Sequence, residues 1–145
     1  MLARGTDYTA LKPYKHPVQP EPMQIIDKAK ELMQEHNCQY IYLATEDSKI
    51  FNLFRGQFGE NLLSMDVERY KDTGNKKFIT QVESDRQNDR YLKGLEYLTT
   101  IELLARCNGL VAGRAGGSVA ARVISDSYEF SYFFDLGNYG VESKE

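Results

Sequence analysis

The residues best suited to chemistry occur in three short polar segments, each of which directly follows an apolar run. They are Arg4–Asp7 (RGTD), Thr45–Asp47 (TED) and Gly113–Ser118 (GRAGGS). Arginine holds a phosphate through paired hydrogen bonds, and carboxylates accept hydrogen bonds from a ribose hydroxyl or a guanine edge. Glycines between a strand and a helix let backbone N–H groups approach a phosphate closely. Together the three segments predict a site for a phosphorylated nucleotide-like ligand.

Each segment also has a purely structural interpretation, and at this point both interpretations stay open. Arg4 is typical of a surface arginine near a terminus, and Asp7 is either a general base or the salt-bridge partner of that arginine. Thr45 is a natural helix N-cap, and Glu46 and Asp47 suit the positive end of a helix dipole. The glycines suit a tight strand-to-helix turn. They form neither a P-loop, which requires a following Lys-Ser/Thr pair, nor a G-x-G-x-x-G motif.

The elements that position these segments follow from the hydrophobic periodicity. Short continuous apolar runs alternate with apolar residues at helical spacing, which predicts an α/β domain with a mostly parallel sheet. The predicted strands are a stub at 2–4 and the segments 40–44, 61–66, 110–112 and 128–136, and the predicted helices cover 25–36, 50–58, 91–105 and 119–124. In an open parallel sheet, ligands bind beyond the carboxyl ends of the strands, where all three polar segments fall.

Two stretches stand apart from this alternation. Residues 67–88 are polar and charged without a clear period, so they predict a long loop that is either functional or mobile. Leu2–Arg4 is typical of the last residues of a strand whose earlier part is absent. We therefore expect residues 1–145 to form one domain that is the second half of a longer protein.

Composition limits the possible partners. The 145 residues are 41% hydrophobic and 27% charged, which suffices for one core. The net charge of −3, with basic residues scattered among acids, argues against a nucleic-acid partner. Neither a membrane span nor the apolar core of a signal peptide is present in the sequence, so we expect a cytoplasmic protein. Two cysteines and two histidines are too few for a zinc site, so no metal or other cofactor is expected.

Taken in order along the chain, these segments resemble the donor-binding half of a fucosyltransferase. The resemblance is carried by Arg4–Asp7, by His16-Pro17 ahead of a helix, by Ile41–Asp47 (IYLATED) and by Cys107–Val111 (CNGLV) before a turn of small residues. The most similar group is the α1,6-fucosyltransferases, with the core enzyme of N-glycan processing, its rhizobial nodulation relatives and bacterial polysaccharide homologues. The resemblance implies the C-terminal half of a GT-B glycosyltransferase, a Rossmann-like three-layer domain.

The same resemblance implies that the chain binds GDP-fucose or a related GDP-sugar and that transfer inverts the anomeric carbon without a metal ion. Arg4 matches the family's essential arginine, which stabilises the charge on the departing diphosphate. The glycan acceptor would be bound with the help of a missing N-terminal domain. The candidate catalytic residues are Arg4 and Asp7, and the candidate donor-binding residues are Arg4, Thr45, Glu46, Asp47, Arg114, Gly116, Gly117 and Ser118.

The sequence departs from the family pattern at three places. Gly5 stands where the core enzymes carry a second arginine, Thr100 stands where an acid is expected, and Leu11 or Lys12 stands at the position of the proposed base. The missing acid and the missing base favour an alternative, a non-catalytic nucleotide-binding fragment. A second alternative is an assembly fragment without a ligand, in which the exposed edge of the first strand drives formation of a homodimer.

Overall fold

The computed structural model describes residues 1–71, 78–126 and 128–141, with the side chains of these ranges except those of residues 6, 7 and 80. The helices in these ranges are α1 (Thr6–Leu11), α2 (Pro22–Glu35), α3 (Ser48–Phe58), α4 (Asp89–Ala105) and α5 (Gly116–Ile124), with 3₁₀ helices at Gly59–Asn61 and Ile79–Gln81. The strands are β1 (Ile41–Tyr42), β2 (Leu62–Leu63), β3 (Gly109–Gly113) and β4 (Phe130–Phe134). The predicted mixed α/β fold with parallel strands is confirmed.

The strands pair in two small parallel sheets, β1 with β2 and β3 with β4. The backbone of Leu2 connects the sheets, because it forms parallel bridges with Ala44, just beyond β1, and with Ala112 of β3. Leu2 N donates a hydrogen bond to Val111 O at 3.1 Å, and Ala3 N donates to Ala44 O at 3.0 Å. The amino-terminal segment therefore lies between β1 and β3, which agrees with the strand stub expected there.

Successive residues of the extended segments contribute alternately to two hydrophobic cores, because side chains of an extended backbone point to opposite faces. Helices α2 and α3 cover the first core and helices α4 and α5 the second. The first core contains Met1, Ala3, Ile25, Ile26, Ala29, Ile41, Leu43, Ile50, Phe54, Val111 and Phe134. The second core contains Leu2, Ala44, Ile101, Leu104, Leu110, Ala112, Ala115 and Ala121.

The predicted helices are all present, whereas most strands are shorter than predicted. Helix α2 begins at Pro22, where a missing N–H does no harm, and α3 ends at Phe58 with Gly59 as its C-cap at a φ of 54°. The apolar run 40–44 contributes only Ile41–Tyr42 to a paired strand, because the partner strand β2 is itself only two residues long. None of the helices in the described ranges combines the length and apolar character needed to span a bilayer.

Candidate functional site

A cavity of about 500 Å³ opens at the carboxyl ends of the amino-terminal segment, β1 and β3. Its volume lies within the range of small-molecule binding sites. Of the residues predicted for the site, Arg4, Thr45, Glu46, Gly116 and Gly117 line this cavity. The structure thus brings together one part of each of the three polar segments, which are far apart in the sequence.

Arg4 is held in the cavity wall by Glu46. Its Nε lies 3.5 Å from Glu46 Oε1, and the same carboxylate oxygen accepts a hydrogen bond from Gly5 N at 3.0 Å. The guanidinium carbon of Arg4 also lies 4.8 Å from the centre of the Tyr8 ring, a cation–π contact. Both members of the ion pair are mostly buried, so these contacts fix the direction of the guanidinium. Glu46 therefore orients Arg4 in the cavity wall.

Asp47, in contrast, does not line the cavity. Its Oδ1 accepts hydrogen bonds from Lys49 N at 2.7 Å and from Ile50 N at 3.0 Å, so Asp47 is the N-cap of α3. The side chain is buried in this position. An N-cap satisfies backbone donors that have no partner inside the helix. This structural role accounts for Asp47 without a ligand.

The expectation that Thr45 caps the helix is wrong, because α3 begins two residues later than that assignment requires. The backbone of Tyr70 pairs with residues 46–48: Tyr70 N donates to Glu46 O at 2.8 Å, and Ser48 N donates to Tyr70 O at 3.0 Å. This pairing keeps the chain extended up to Asp47. Thr45 Oγ1 accepts a hydrogen bond from Asp47 N at 3.2 Å, which stabilises the turn into the cap.

The packing around Gly5 leaves no space for a second arginine beside Arg4. A Cβ atom on Gly5 would lie 2.6 Å from Asp47 Oδ2 and 2.7 Å from Ile50 Cδ1. Both atoms belong to the first turn of α3 and its cap, which pack directly against the backbone of Gly5. There is consequently no room for a side chain at this position.

Gly116 and Gly117 form the first turn of α5, and neither the backbone nor the packing requires glycine there. Neither residue has a positive φ. A Cβ atom on Gly116 would meet nothing closer than the Tyr97 hydroxyl at 3.8 Å, and one on Gly117 would meet the same hydroxyl at 3.4 Å. These are ordinary contacts. The tight-turn interpretation therefore loses its steric basis at Gly116 and Gly117, whereas at Gly113 it keeps that basis, because a Cβ atom there would lie 2.8 Å from Pro20 Cδ. The missing side chains of Gly116 and Gly117 leave the helix N-terminus open to the cavity.

Ser118 and Arg114 lie outside the cavity lining. Ser118 is fully buried, where its hydroxyl donates to Gly113 O at 2.8 Å and accepts from Ala115 N at 3.0 Å. These bonds stabilise the turn into α5. Arg114 is exposed, and its Nη1 donates to Asp135 Oδ1 at 3.0 Å. Both side chains thus have structural partners away from the cavity.

The candidate Asp7 and the His16 of the family resemblance lie outside the part of the site described so far. The side chain of Asp7 lies outside the described residues. The ring of His16 meets the ring of Tyr8 edge-on, with 5.6 Å between the ring centres. Since Tyr8 in turn contacts Arg4, His16 is separated from Arg4 by one aromatic ring, and it is not part of the cavity lining.

The sequence interpretation missed the wall formed by α4. Lys93, Glu96 and Thr100 of this helix line the cavity, and their spacing of three and four residues places them on one helical face. This polar stripe was a usable signal within an otherwise apolar pattern. Burial raises the pKa of Tyr42, which lines the cavity near Thr100. The wall is therefore mixed, with charged groups beside the half-buried phenol ring of Tyr42.

Arg86 fastens the predicted 67–88 loop to α4. Its Nη2 lies 2.9 Å from Glu96 Oε2, and its Nε lies 2.9 Å from Asp89 Oδ1 and 3.3 Å from Glu68 Oε2. Hydrogen bonds to Glu96 and Asp89 raise the pKa of Arg86 above its usual value. The described parts of the loop are thus tied down, and they complete one side of the cavity.

Comparison with known proteins finds no relative of this chain. No protein-family model matches the chain, and no curated protein or solved structure matches it. Within the described part of the chain, no group of three or more His, Cys, Asp and Glu side chains is placed to hold a metal ion. What the cavity binds therefore has to be inferred from its own residues.

Proposed function

We propose that this chain is the donor-binding domain of a fucosyltransferase-like glycosyltransferase, with GDP-fucose or a related GDP-sugar as its ligand. The observation that carries the proposal is that Arg4, Glu46 and the open first turn of α5 line the same cavity. A diphosphate needs a fixed positive charge and N–H donors, which Arg4 and the backbone of Gly116 and Gly117 supply. The resemblance of the RGTD and YLATED segments to fucosyltransferases supports the same ligand.

The order of the strands supports a Rossmann-like domain. With the amino-terminal segment taken as the first strand, the bridges and pairings give the spatial order third, second, first, fourth, fifth. Dinucleotide-binding folds have this order, and their ligands lie where it reverses, between the first and fourth strands. Arg4 follows the first strand and Gly116 the fourth, so both lie at the reversal point.

In this proposal Arg4 stabilises the negative charge that develops on GDP as the sugar leaves, and Glu46 positions Arg4. Asp7 remains the candidate general base. Thr100, at the place where the family carries an acid, lines the cavity and donates its hydroxyl to Met65 Sδ at 3.8 Å. That neutral side chain favours a second candidate function, nucleotide binding without transfer. An assay for transfer from GDP-fucose, made with the longer two-domain protein that this proposal implies, distinguishes the two functions.

We expect guanine nucleotides to raise the unfolding temperature of this chain. At a ligand concentration of about 100 times Kd, binding adds roughly 2.7 kcal/mol of stability, which corresponds to at least about 5 °C for a domain of this size. Thermal unfolding with GDP and GDP-fucose, against UDP and ADP, measures the effect. A shift with GDP and GDP-fucose alone supports the proposal. Equal shifts with all four nucleotides, or no shift at millimolar concentrations, contradict it.

Alanine at Gly116 is expected to weaken GDP binding without destabilising the fold. The new Cβ atom fits the empty protein, and alanine favours helix by up to about 1 kcal/mol, so the unfolding temperature stays the same or rises. The same atom occupies the space through which a phosphate reaches the backbone N–H groups. We expect the affinity for GDP, measured by titration calorimetry, to fall about tenfold.

Gly94→Ala is the matched control, because Gly94 lies in α4 and a Cβ atom there would meet nothing within 4 Å. This substitution makes the same change of helix propensity outside the cavity lining. It should leave the GDP affinity unchanged. If Gly116→Ala also leaves the GDP affinity unchanged, the phosphate does not approach the first turn of α5.

A further inference from the structure

Arg69 is the cavity-lining cation for which the described part of the chain provides no carboxylate within ion-pair distance. The lining contains three basic and three acidic side chains, namely Arg4, Arg69, Lys93, Glu46, Glu68 and Glu96. Arg4 pairs with Glu46, and Lys93 pairs with Asp89. The other two acids, Glu68 and Glu96, both pair with Arg86. Among the described residues, Arg69 is thus the lining cation without an ion pair of its own, whereas Arg86 and Lys93 together face three carboxylates, those of Glu68, Asp89 and Glu96.

The contacts of Arg69 are all with neutral groups. Its Nη2 donates to Met65 O at 2.7 Å, its Nη1 makes a longer contact with Val67 O at 3.4 Å, and its guanidinium carbon lies 4.0 Å from the centre of the Phe51 ring. Its Nε is buried and has no hydrogen-bond partner among the described residues. A guanidinium carries five N–H donors, so two carbonyl contacts leave most of its donor capacity unused.

An arginine without an ion pair lowers the stability of the folded protein when no ligand is bound. Burial lowers the pKa of Arg69, while Asp66 and Tyr42 act on it in the opposite direction without forming an ion pair with it. Arg69 is half-buried, so its charge is only partly desolvated, and an anion that enters the cavity offsets the cost of that partial desolvation. The guanidinium is stacked on Phe51 and held by Met65, so it is already oriented for such an anion.

We propose that Arg69 is a second phosphate-binding residue of this cavity, which together with Arg4 recognises a diphosphate group. The identity of the ligand as a nucleoside diphosphate rests on the proposed function, whereas the anion site rests on Arg69 itself. Gly5 leaves no room for a second arginine beside Arg4. Arg69 supplies the second guanidinium from the segment that follows β2. Two separate guanidinium groups favour a diphosphate over a monophosphate, so the cavity prefers GDP to GMP.

Arg69→Met tests this proposal, because methionine retains apolar packing against Phe51 and removes the charge. We expect the affinities for inorganic pyrophosphate and for GDP, measured by titration calorimetry, to fall at least about tenfold. We expect the unfolding temperature of the empty protein to stay the same or to rise, since a partly desolvated charge has been removed. A residue with a merely structural role would lower the unfolding temperature and leave the anion affinity of the folded protein unchanged.

Arg106→Met is the matched control. Arg106 is 74% exposed and pairs with Glu102 at 2.8 Å, so its replacement removes a guanidinium outside the cavity lining. Its pyrophosphate affinity should equal that of the wild type. If Arg69→Met does not fold, Arg69→Gln replaces it in the test, because glutamine removes the charge and keeps polar hydrogen-bond donors. Unchanged pyrophosphate affinity in the folded Arg69 variant overturns the proposal.

The outcomes separate this proposal from the proposed function. If the wild type and Arg69→Met bind GDP with equal affinity, Arg69 has no role in binding, and the donor-binding function stays intact. A wild-type protein that binds pyrophosphate through Arg69 but does not prefer GDP to UDP or ADP refutes the guanine-nucleotide function and supports the anion site. A wild-type protein that binds neither pyrophosphate nor GDP refutes both.

Discussion

Replacement of Phe54 by alanine is expected to lower the free energy of unfolding by about 3–5 kcal/mol and the melting temperature by roughly 10 °C. Phe54 is fully buried in the core covered by α2 and α3, and its ring centre lies 6.0 Å from that of Phe58. Removing the ring loses its transfer free energy and leaves a void between helix and strands. Denaturant unfolding followed by circular dichroism measures the change.

Leu53→Ala is the control for this effect, because Leu53 is the preceding residue of the same helix and is 37% exposed. We expect it to cost less than about 1 kcal/mol. Phe54 is not part of the cavity lining, so the folded Phe54→Ala protein should bind GDP like the wild type at low temperature. Equal losses of stability in the two variants would show that the first core is not packed as described.

Helices α2 to α5 were predictable because their signals are local, whereas the six-residue helix α1 was not predicted. In α3, apolar residues at helical spacing, Ile50 and Phe54 among them, identify the buried face, and Gly59 identifies the end. The start of α3 was not predictable from Thr45, because it depends on the backbone of Tyr70, 25 residues further on in sequence, which pairs with residues 46–48. The length of a strand likewise depends on its partner strand, so the hydrophobic pattern of one segment does not predict it.

Some residues of the candidate site were likewise predictable from the sequence, and others were not. Arg4, Glu46 and Gly116 were predictable, because the carboxyl ends of parallel strands share one edge of a sheet whatever their order along the chain. Arg69 was not predictable, since it belongs to a loop whose position depends on tertiary contacts, whereas the polar face of α4 that contains Lys93 was a sequence signal that had been missed. The ion pairs of Arg86, which join that loop to α4, have no period in the sequence.

Replacement of Arg4 by alanine is expected to weaken the binding of GDP and GDP-fucose by about 1.5–3 kcal/mol, the range for hydrogen bonds to charged groups. The guanidinium is fixed in the cavity wall by Glu46 and Tyr8, so it contributes charge and donors that are oriented before the ligand arrives. Titration calorimetry with GDP and with guanosine locates the loss, because guanosine lacks the diphosphate. Arg106→Ala removes an exposed arginine that also pairs with a glutamate and should change neither affinity.

The ion pair with Glu46 requires one more variant before a loss of affinity is assigned to Arg4. In Arg4→Ala the carboxylate of Glu46 keeps the hydrogen bond from Gly5 N but loses its ion-pair partner Arg4, so it would repel a phosphate by itself. The double variant Arg4→Ala/Glu46→Gln removes that repulsion, and the coupling energy of the two substitutions separates the two causes. If Arg4 binds the diphosphate directly, the double variant recovers only part of the lost affinity for GDP. Full recovery would mean that Arg4 serves only to neutralise Glu46, and the diphosphate contact would then have to come from other residues of the cavity.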